Sequence, residues 1–109
     1  MLKQQNRLLQ RSRLANVKTY STPLFTLKIS NNGLLYNRYG FVVSKKIDKR
    51  ATRRNRIKRI LRVCIENNLG IIQPGLDMLF IVKQEIAQKK QEEICLTVLS
   101  LLKKEKYLI

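Results

Sequence analysis

The chain has 109 residues, of which 44% are hydrophobic, and its formal net charge is +16, from 23 Lys and Arg against 7 Asp and Glu. This length suits one domain, residues 1–109, and the charge favours a polyanionic partner, with nucleic acid first and a membrane surface second. The sequence has no histidine and no apolar run long enough to span a bilayer, which disfavours acid–base catalysis by side chains and a membrane-spanning protein.

The first 22 residues are polar and basic. Their irregular apolar positions predict no more than a short helix between Leu8 and Val17. The N-terminus lacks the apolar segment of a secretory signal, so we expect a cytoplasmic protein.

Residues 25–44 carry the first strand signals. Phe25, Leu27 and Ile29 alternate with polar residues, which predicts a strand with one buried face. The sequence Asn31-Asn32-Gly33 indicates a hairpin turn, with the return strand within residues 35–44. The end of that strand, Phe41-Val42-Val43, is apolar on both faces and indicates a central place in the sheet.

A basic helix follows. The segment from Arg38 to Arg62 holds eleven Lys and Arg and one acid, Asp48, and so contributes +10 of the net charge. Thr52 is a plausible N-cap, the helix should end near residues 67–68, and Gly70 is a stop signal. One face of this helix carries apolar residues at helical spacing, which predicts packing on a sheet: Ile57, Ile60, Leu61 and Cys64.

The other face of the helix and the loop before it form what we call the basic surface. Like charges at i and i+4 cost roughly 0.2–0.5 kcal/mol per pair, and a polyanion would relieve that repulsion. An ordinary solvated face is the alternative, but such faces mix signs, and no acid lies between Asp48 and Glu66. The predicted RNA-binding residues of the basic surface are Lys45, Lys46, Lys49, Arg50, Arg53, Arg54, Asn55, Arg56, Lys58, Arg59 and Arg62.

The last third of the chain predicts a turn, a strand and a helix. Gln73-Pro74-Gly75 is a turn, residues 76–83 read as a fully buried strand, and a helical pattern begins near Gln84. A strand, a helix and a strand in this order suggest a parallel crossover. Cys64 and Cys95 both lie on apolar helical stripes with no further ligand type nearby, so we expect buried reduced thiols and no zinc site.

Aromatic residues near the basic loop offer a second binding chemistry. On an exposed sheet face, Tyr36 and Tyr39 would stack on unpaired bases, whereas core packing is the alternative for both; core packing is preferred for Phe41.

The residues from Arg38 to Arg62, RYGFVVSKKIDKRATRRNRIKRILR, closely resemble the signature of the protein subunit of bacterial ribonuclease P. The shared pattern is Ser44-Lys45-Lys46 at a strand end, then a helix with Ala51, Arg54-Asn55-Arg56, Lys58-Arg59 and Arg62. Residues 23–30, 74–83 and the last apolar helix also look like elements of that family.

The resemblance implies an α/β (α+β) sandwich with a small mixed sheet flanked by helices, similar to the second domain of ribosomal protein S5. It also implies a left-handed strand–helix–strand crossover, an exception to the usual hand. The implied function is a protein cofactor that binds a catalytic RNA and the 5′ leader of precursor tRNA, with cleavage by Mg²⁺ ions that the RNA holds. No metal ligand, membrane or obligate protein partner is expected of this chain.

The resemblance further implies a sheet cleft for the leader. In this chain the stretch from Leu9 to Val17 is shorter than the family's first helix and has no Phe. The candidate cleft residues are Val17, Tyr20, Phe25, Tyr36 and Tyr39. The alternative function, from a different class, is a structural RNA-binding protein of ribosomal type. A DNA-binding module is disfavoured because the basic helix lacks the neighbouring short helix of a helix-turn-helix.

Overall fold

The computed structural model describes residues 16–109, so most of the short helix predicted between Leu8 and Val17 lies outside the described residues. Two short 3₁₀ helices, Leu69–Ile71 and Gln84–Gln88, accompany the main elements. These are strands β1 (Lys18–Ser21), β2 (Phe25–Asn31), β3 (Arg38–Val42) and β4 (Leu76–Val82), and helices α1 (Ala51–Glu66) and α2 (Gln91–Lys104).

The four strands form one mixed sheet in the order β1-β2-β4-β3. Strand β4 pairs in parallel with β3, which α1 joins to it, so the predicted parallel crossover is confirmed. The left hand of this crossover stays a prediction. Strand β4 pairs antiparallel with β2 on its other side, from Phe25 opposite Val82 to Asn31 opposite Leu76.

The hairpin prediction at Asn31-Asn32-Gly33 is wrong. A turn is present, with Gly33 at φ 72°, but β3 does not pair with β2 because β4 lies between them. Instead, Asn32 ties the turn to β4: its backbone N–H donates to the Gly75 carbonyl at 2.9 Å, and its side-chain amide donates to Asp77 Oδ1 at 2.9 Å. The turn residues therefore reverse the chain after β2 as predicted, but the apolar strand β4 lies between β2 and β3 in the sheet.

The prediction that the end of the return strand is central is also wrong. In the described sheet β3 is an edge strand, and its apolar residues are buried by packing on one face. Phe41 stacks on Phe80 of the neighbouring strand, with ring centroids 5.6 Å apart. An apolar run on an edge strand thus resembles that of a central strand when helices cover it.

The core lies between one face of the sheet and the two helices. Phe25, Leu27 and Ile29 of β2 are at most 2% exposed, which confirms the predicted alternation. Strand β4 is confirmed as a strand, but it is not fully buried as predicted, because Leu79 and Ile81 on its second face are half-buried. The apolar stripe of α1 is confirmed as well, since Ile57, Ile60, Leu61 and Cys64 are all buried, together with Ile65.

Helix α1 begins one residue before the predicted cap. Its N-cap position is Arg50, whose side chain makes no cap hydrogen bond, rather than Thr52. The physical reason is Asp48, whose carboxylate accepts the Arg50 backbone N–H at 2.9 Å and closes a turn that starts the helix early. The predicted end near residues 67–68 is confirmed. Gly70 lies beyond it, in the 3₁₀ helix that follows.

The two cysteines form a disulfide, so the prediction of reduced thiols is wrong. Cys64 of α1 and Cys95 of α2 are bonded, with Cα atoms 5.1 Å apart. The predicted burial holds for Cys64, which is 1% exposed, but Cys95 is half-buried. The two helices pack against each other, and this packing brings the two sulfurs together. Sequence periodicity shows which face of a helix is buried and does not show which residue it meets.

Within residues 16–109, no helix has the length and apolar character that crossing a membrane requires.

Candidate nucleic-acid interface

The basic surface is largely exposed. Of its eleven predicted residues, Arg54 and Lys58 are half-buried and the other nine are exposed. Helix α1 presents them because its apolar stripe faces the core, which leaves the positions between the stripe residues on the outside. The structure therefore places the predicted residues on one continuous stretch of chain, residues 45–62, which consists of a loop and most of α1.

Asp48 organises the loop before α1. Its side chain is 15% exposed, and Oδ1 accepts hydrogen bonds from the Arg50 backbone N–H and from Arg50 Nε at 3.3 Å. Its Oδ2 lies 3.8 Å from Arg53 Nη1. The backbone hydrogen bond from Arg50, followed by the charges of Arg50 and Arg53, holds the pKa of the Asp48 carboxyl below its usual range, so this acid is ionised at neutral pH.

Arg54 has a structural task within the basic surface. Its Nη1 donates to the backbone carbonyls of Asp48 at 3.0 Å and Lys49 at 2.8 Å. Gln84 supports the same loop from the other side, because its Nε2 donates to the Lys46 carbonyl at 3.2 Å. The loop is thus held at three points, and Arg54 is less available to a ligand than its exposed neighbours.

Arg56 and Arg59 are the exposed arginines of α1 with the fewest ties. Among residues 16–109, neither makes a hydrogen bond or an ion pair with a side chain or carbonyl. The first turn of α1 holds no acid, so its basic residues there oppose the helix dipole. A guanidinium presents a planar fork of donors that matches a phosphate, and two such forks here point away from the core.

Arg62 and Arg38 are engaged with the protein itself. The Arg62 guanidinium lies 5.6 Å from the centroid of the Phe41 ring, a cation–π contact at the edge of the sheet. Arg38 forms a two-point ion pair with the buried carboxylate of Asp77, and these hydrogen bonds raise the pKa of Arg38. Arg38 therefore stabilises the sheet end and contributes less to the basic surface than its charge suggests.

This arrangement, an exposed Arg-Asn-Arg helix that joins two parallel strands, agrees with the comparisons to known proteins. The model of the Ribonuclease P family matches residues 2–106. The chain belongs to the ribonuclease P family. This finding confirms the resemblance carried by residues 38–62.

Curated relatives named ribonuclease P protein component support the assignment. The Dehalococcoides mccartyi protein is 41% identical over 97 residues, which cover 85% of this chain and 78% of that protein. The Alkaliphilus oremlandii protein is 34% identical over 87 residues, or 80% of this chain and 75% of that protein. The Thermotoga maritima protein is 36% identical over 72 residues, or 66% of this chain and 61% of that protein.

Solved structures of this family share the fold. The ribonuclease P protein of Thermotoga maritima superposes with a TM-score of 0.75 at 30% identity, covering 82% of this chain and 84% of the other. The Staphylococcus aureus protein gives a TM-score of 0.76 at 26% identity, with coverage of 85% and 84%. The predicted mixed α+β fold is therefore confirmed.

The five residues predicted for a leader cleft do not share one surface. Phe25 is 0% exposed and Tyr39 is 2% exposed. Both side chains belong to the core and are too buried to contact RNA directly. The Tyr39 hydroxyl accepts a hydrogen bond from Asn37 at 2.9 Å, and burial raises the pKa of Tyr39. For Tyr39 the core-packing alternative is correct, and Phe25 lies on the buried face predicted for its strand.

The other three cleft candidates are more accessible. Val17 is 37% exposed, and Tyr36 is half-buried. Tyr20 is half-buried and its hydroxyl lies 2.8 Å from that of Tyr107, with the rings edge to face. A part in leader binding stays a prediction for all three.

The sequence reading of the cleft overlooked the second face of the sheet, opposite the core. Residues on this face alternate with the buried ones and include Thr26, Lys28, Leu79 and Ile81, all half-buried. Lys28 pairs with Leu79 across β2 and β4, so both lie in one row of that face. Lys28 alternates with the buried residues of β2, so the sequence pattern also places its side chain on this face. The predicted cleft was built mainly from aromatic residues and therefore did not include Lys28.

Proposed function

We propose that this chain is the protein component of a ribonuclease P ribonucleoprotein. In this role it binds the catalytic RNA through the basic surface and promotes removal of the 5′ leader of precursor tRNA, a cytoplasmic step of tRNA processing. The observation that carries the proposal is the exposed Arg-Asn-Arg helix in a member of this family, with two arginines that no protein group engages among residues 16–109.

In this proposal the catalysis belongs to the RNA. The chain has no histidine, and residues 16–109 contain no group of three or more Cys, Asp or Glu side chains able to hold a metal ion. We therefore assign the Mg²⁺ ions to the RNA partner, whose phosphates are ligands that Mg²⁺ prefers. The protein's contribution is to place positive charge where RNA strands approach one another.

Reconstitution tests this function. Purified protein, a bacterial ribonuclease P RNA and a precursor tRNA are combined at limiting Mg²⁺, and single-turnover cleavage is followed on a gel. We expect the protein to accelerate cleavage at the 5′ end of the mature sequence only when the RNA is present, and to lower the Mg²⁺ concentration that the RNA needs. Cleavage by the protein alone, or no effect on the RNA, would contradict the proposal.

We further propose that the second face of the sheet contacts the leader, with Lys28 as its central cation. Lys28→Ala should weaken binding of precursor tRNA to the holoenzyme by roughly three- to tenfold and leave mature tRNA nearly unaffected, because the mature product has no leader phosphate to lose. Equilibrium binding of the two labelled tRNAs gives the ratio.

Tyr39→Phe is the matched control for Lys28→Ala. It removes the hydroxyl that accepts a hydrogen bond from Asn37 and should cost roughly 0.5–1.5 kcal/mol of unfolding free energy, yet it should not change either tRNA affinity. Equal losses of affinity for both tRNAs in Lys28→Ala would place Lys28 outside the leader contact.

A further inference from the structure

A small pocket lies between the basic loop, the start of α1 and the 3₁₀ helix Gln84–Gln88. Its volume is about 270 Å³, and it is lined by Asp48, Arg53, Arg56, Ile57 and Ala87. Sites for drug-sized ligands begin at about 300 Å³, so this volume suits one planar ring system. Its lining combines two apolar side chains, two guanidinium groups and one carboxylate.

The walls of the pocket are held in place. Ile57 is 3% exposed and is fixed by the core, and Ile86, which anchors the 3₁₀ helix beside Ala87, is 1% exposed. The hydrogen bond from Gln84 to the Lys46 carbonyl joins this 3₁₀ helix to the basic loop. These contacts fix the backbone around the pocket, and the hydrogen bonds from Arg50 fix the Asp48 carboxylate, while the Arg53 and Arg56 side chains stay exposed.

Asp48 makes the pocket unlike the rest of the basic surface. Its Oδ1 already accepts two hydrogen bonds from Arg50, whereas Oδ2 has a single longer contact, 3.8 Å from Arg53. Oδ2 thus keeps lone pairs for another donor. A phosphate at neutral pH offers acceptors and has few protons to donate, whereas a free carboxylate oxygen needs a donor, so the group that lies against Oδ2 should donate a hydrogen bond.

We propose that this pocket receives one unpaired nucleobase of the RNA and that Asp48 accepts a hydrogen bond from the exocyclic amino group of that base. Arg53 stacks on or flanks the ring, as guanidinium planes do with unstacked bases, and Ile57 and Ala87 contact its apolar surface, while the Arg56 guanidinium donates to the phosphate of the bound nucleotide. Uracil is disfavoured, since it has no amino group and its N3–H lies between two carbonyl oxygens that a carboxylate repels. The inference rests on the RNA-binding function proposed above and adds base selectivity to it.

The test is the equilibrium binding of three labelled RNA pentamers, of cytidine, adenosine and uridine, to the full chain at one salt concentration. The wild-type protein should bind the cytidine and adenosine pentamers roughly fivefold more tightly than the uridine pentamer. Asp48→Asn keeps an acceptor for the Arg50 N–H and gains an amide donor that suits a uracil carbonyl. Its preference against uridine should disappear or invert.

Two further variants separate the pocket from general charge effects. Ala87→Phe fills the pocket and should also abolish the preference, whereas Glu85→Gln removes a carboxylate from the same 3₁₀ helix, outside the pocket, and should leave it unchanged. Base stacking on other surfaces should be the same in the wild-type protein and in the three variants. The readout is therefore the change in the ratio of the affinities for the cytidine or adenosine pentamer and the uridine pentamer.

The outcomes separate this inference from the proposed function. An equal rise in affinity for all three pentamers in Asp48→Asn would make the pocket a phosphate contact and overturn the inference. An unchanged ratio in Asp48→Asn, or no wild-type binding of any pentamer while the catalytic RNA still binds, would also overturn it. Failure to bind the catalytic RNA itself would instead count against the proposed function.

Discussion

Reduction of the Cys64–Cys95 disulfide is expected to lower the free energy of unfolding by roughly 3–4 kcal/mol. The bond closes a loop between residues 31 positions apart, and in the chain-entropy model such a loop restricts the unfolded chain by about that amount. The bond also joins α1, which carries the basic surface, to α2 across the core. Guanidinium unfolding of the protein with and without dithiothreitol measures the difference.

Cys95→Ser is the control for the reductant. Cys95 is half-buried, so the hydroxyl of a serine at this position can reach water. The variant has no disulfide to reduce. Its free energy of unfolding should match that of the reduced wild-type protein within about 1 kcal/mol. Its unfolding midpoint should not respond to dithiothreitol. Rapid labelling of both thiols in the native protein prepared without reductant would contradict the disulfide. So would equal unfolding midpoints with and without reductant.

The sequence predicted those parts of the fold that depend on local patterns. The alternation in β2, the presence of strand β4 and the stripe of α1 all follow from the pattern along one element, and all three are confirmed. Pairing between elements was predicted less well. The turn after β2 does not produce a hairpin with β3. Strand β4 pairs with that edge of β2 instead, because it offers more apolar surface than β3.

In the candidate site, too, the features that depend on one element were predicted, and the contacts between elements were not. Charge and helical spacing located the basic surface, because exposure on α1 follows directly from the position of its apolar stripe. The roles within that surface depend on contacts between elements. Nothing in the spacing indicates that Arg54 holds the loop carbonyls, that Arg62 covers Phe41, or that Asp48 lies in a pocket.

Replacing Arg56 and Arg59 together by alanine is expected to weaken binding of the catalytic RNA by roughly a hundredfold at moderate salt. Hydrogen bonds to charged groups contribute about 1.5–3 kcal/mol each, and tenfold in affinity corresponds to about 1.4 kcal/mol. The slope of log K against log salt should become shallower by roughly 1.4–1.8, since each of the two lost phosphate contacts removes about 0.7–0.9. Binding titrations of labelled RNA at several salt concentrations measure both quantities.

The fold should survive this double change, because neither arginine lies on the buried stripe or holds the loop, and the loss of like charges should shift the unfolding free energy by less than about 0.5 kcal/mol. Lys103 and Lys104, exposed in the last turn of α2, provide the matched control. Their replacement by alanine removes the same charge outside the basic surface, so the affinity should fall much less if position matters. Equal losses in the two double variants would show that net charge alone attracts the RNA, and the assigned role of α1 would then be wrong.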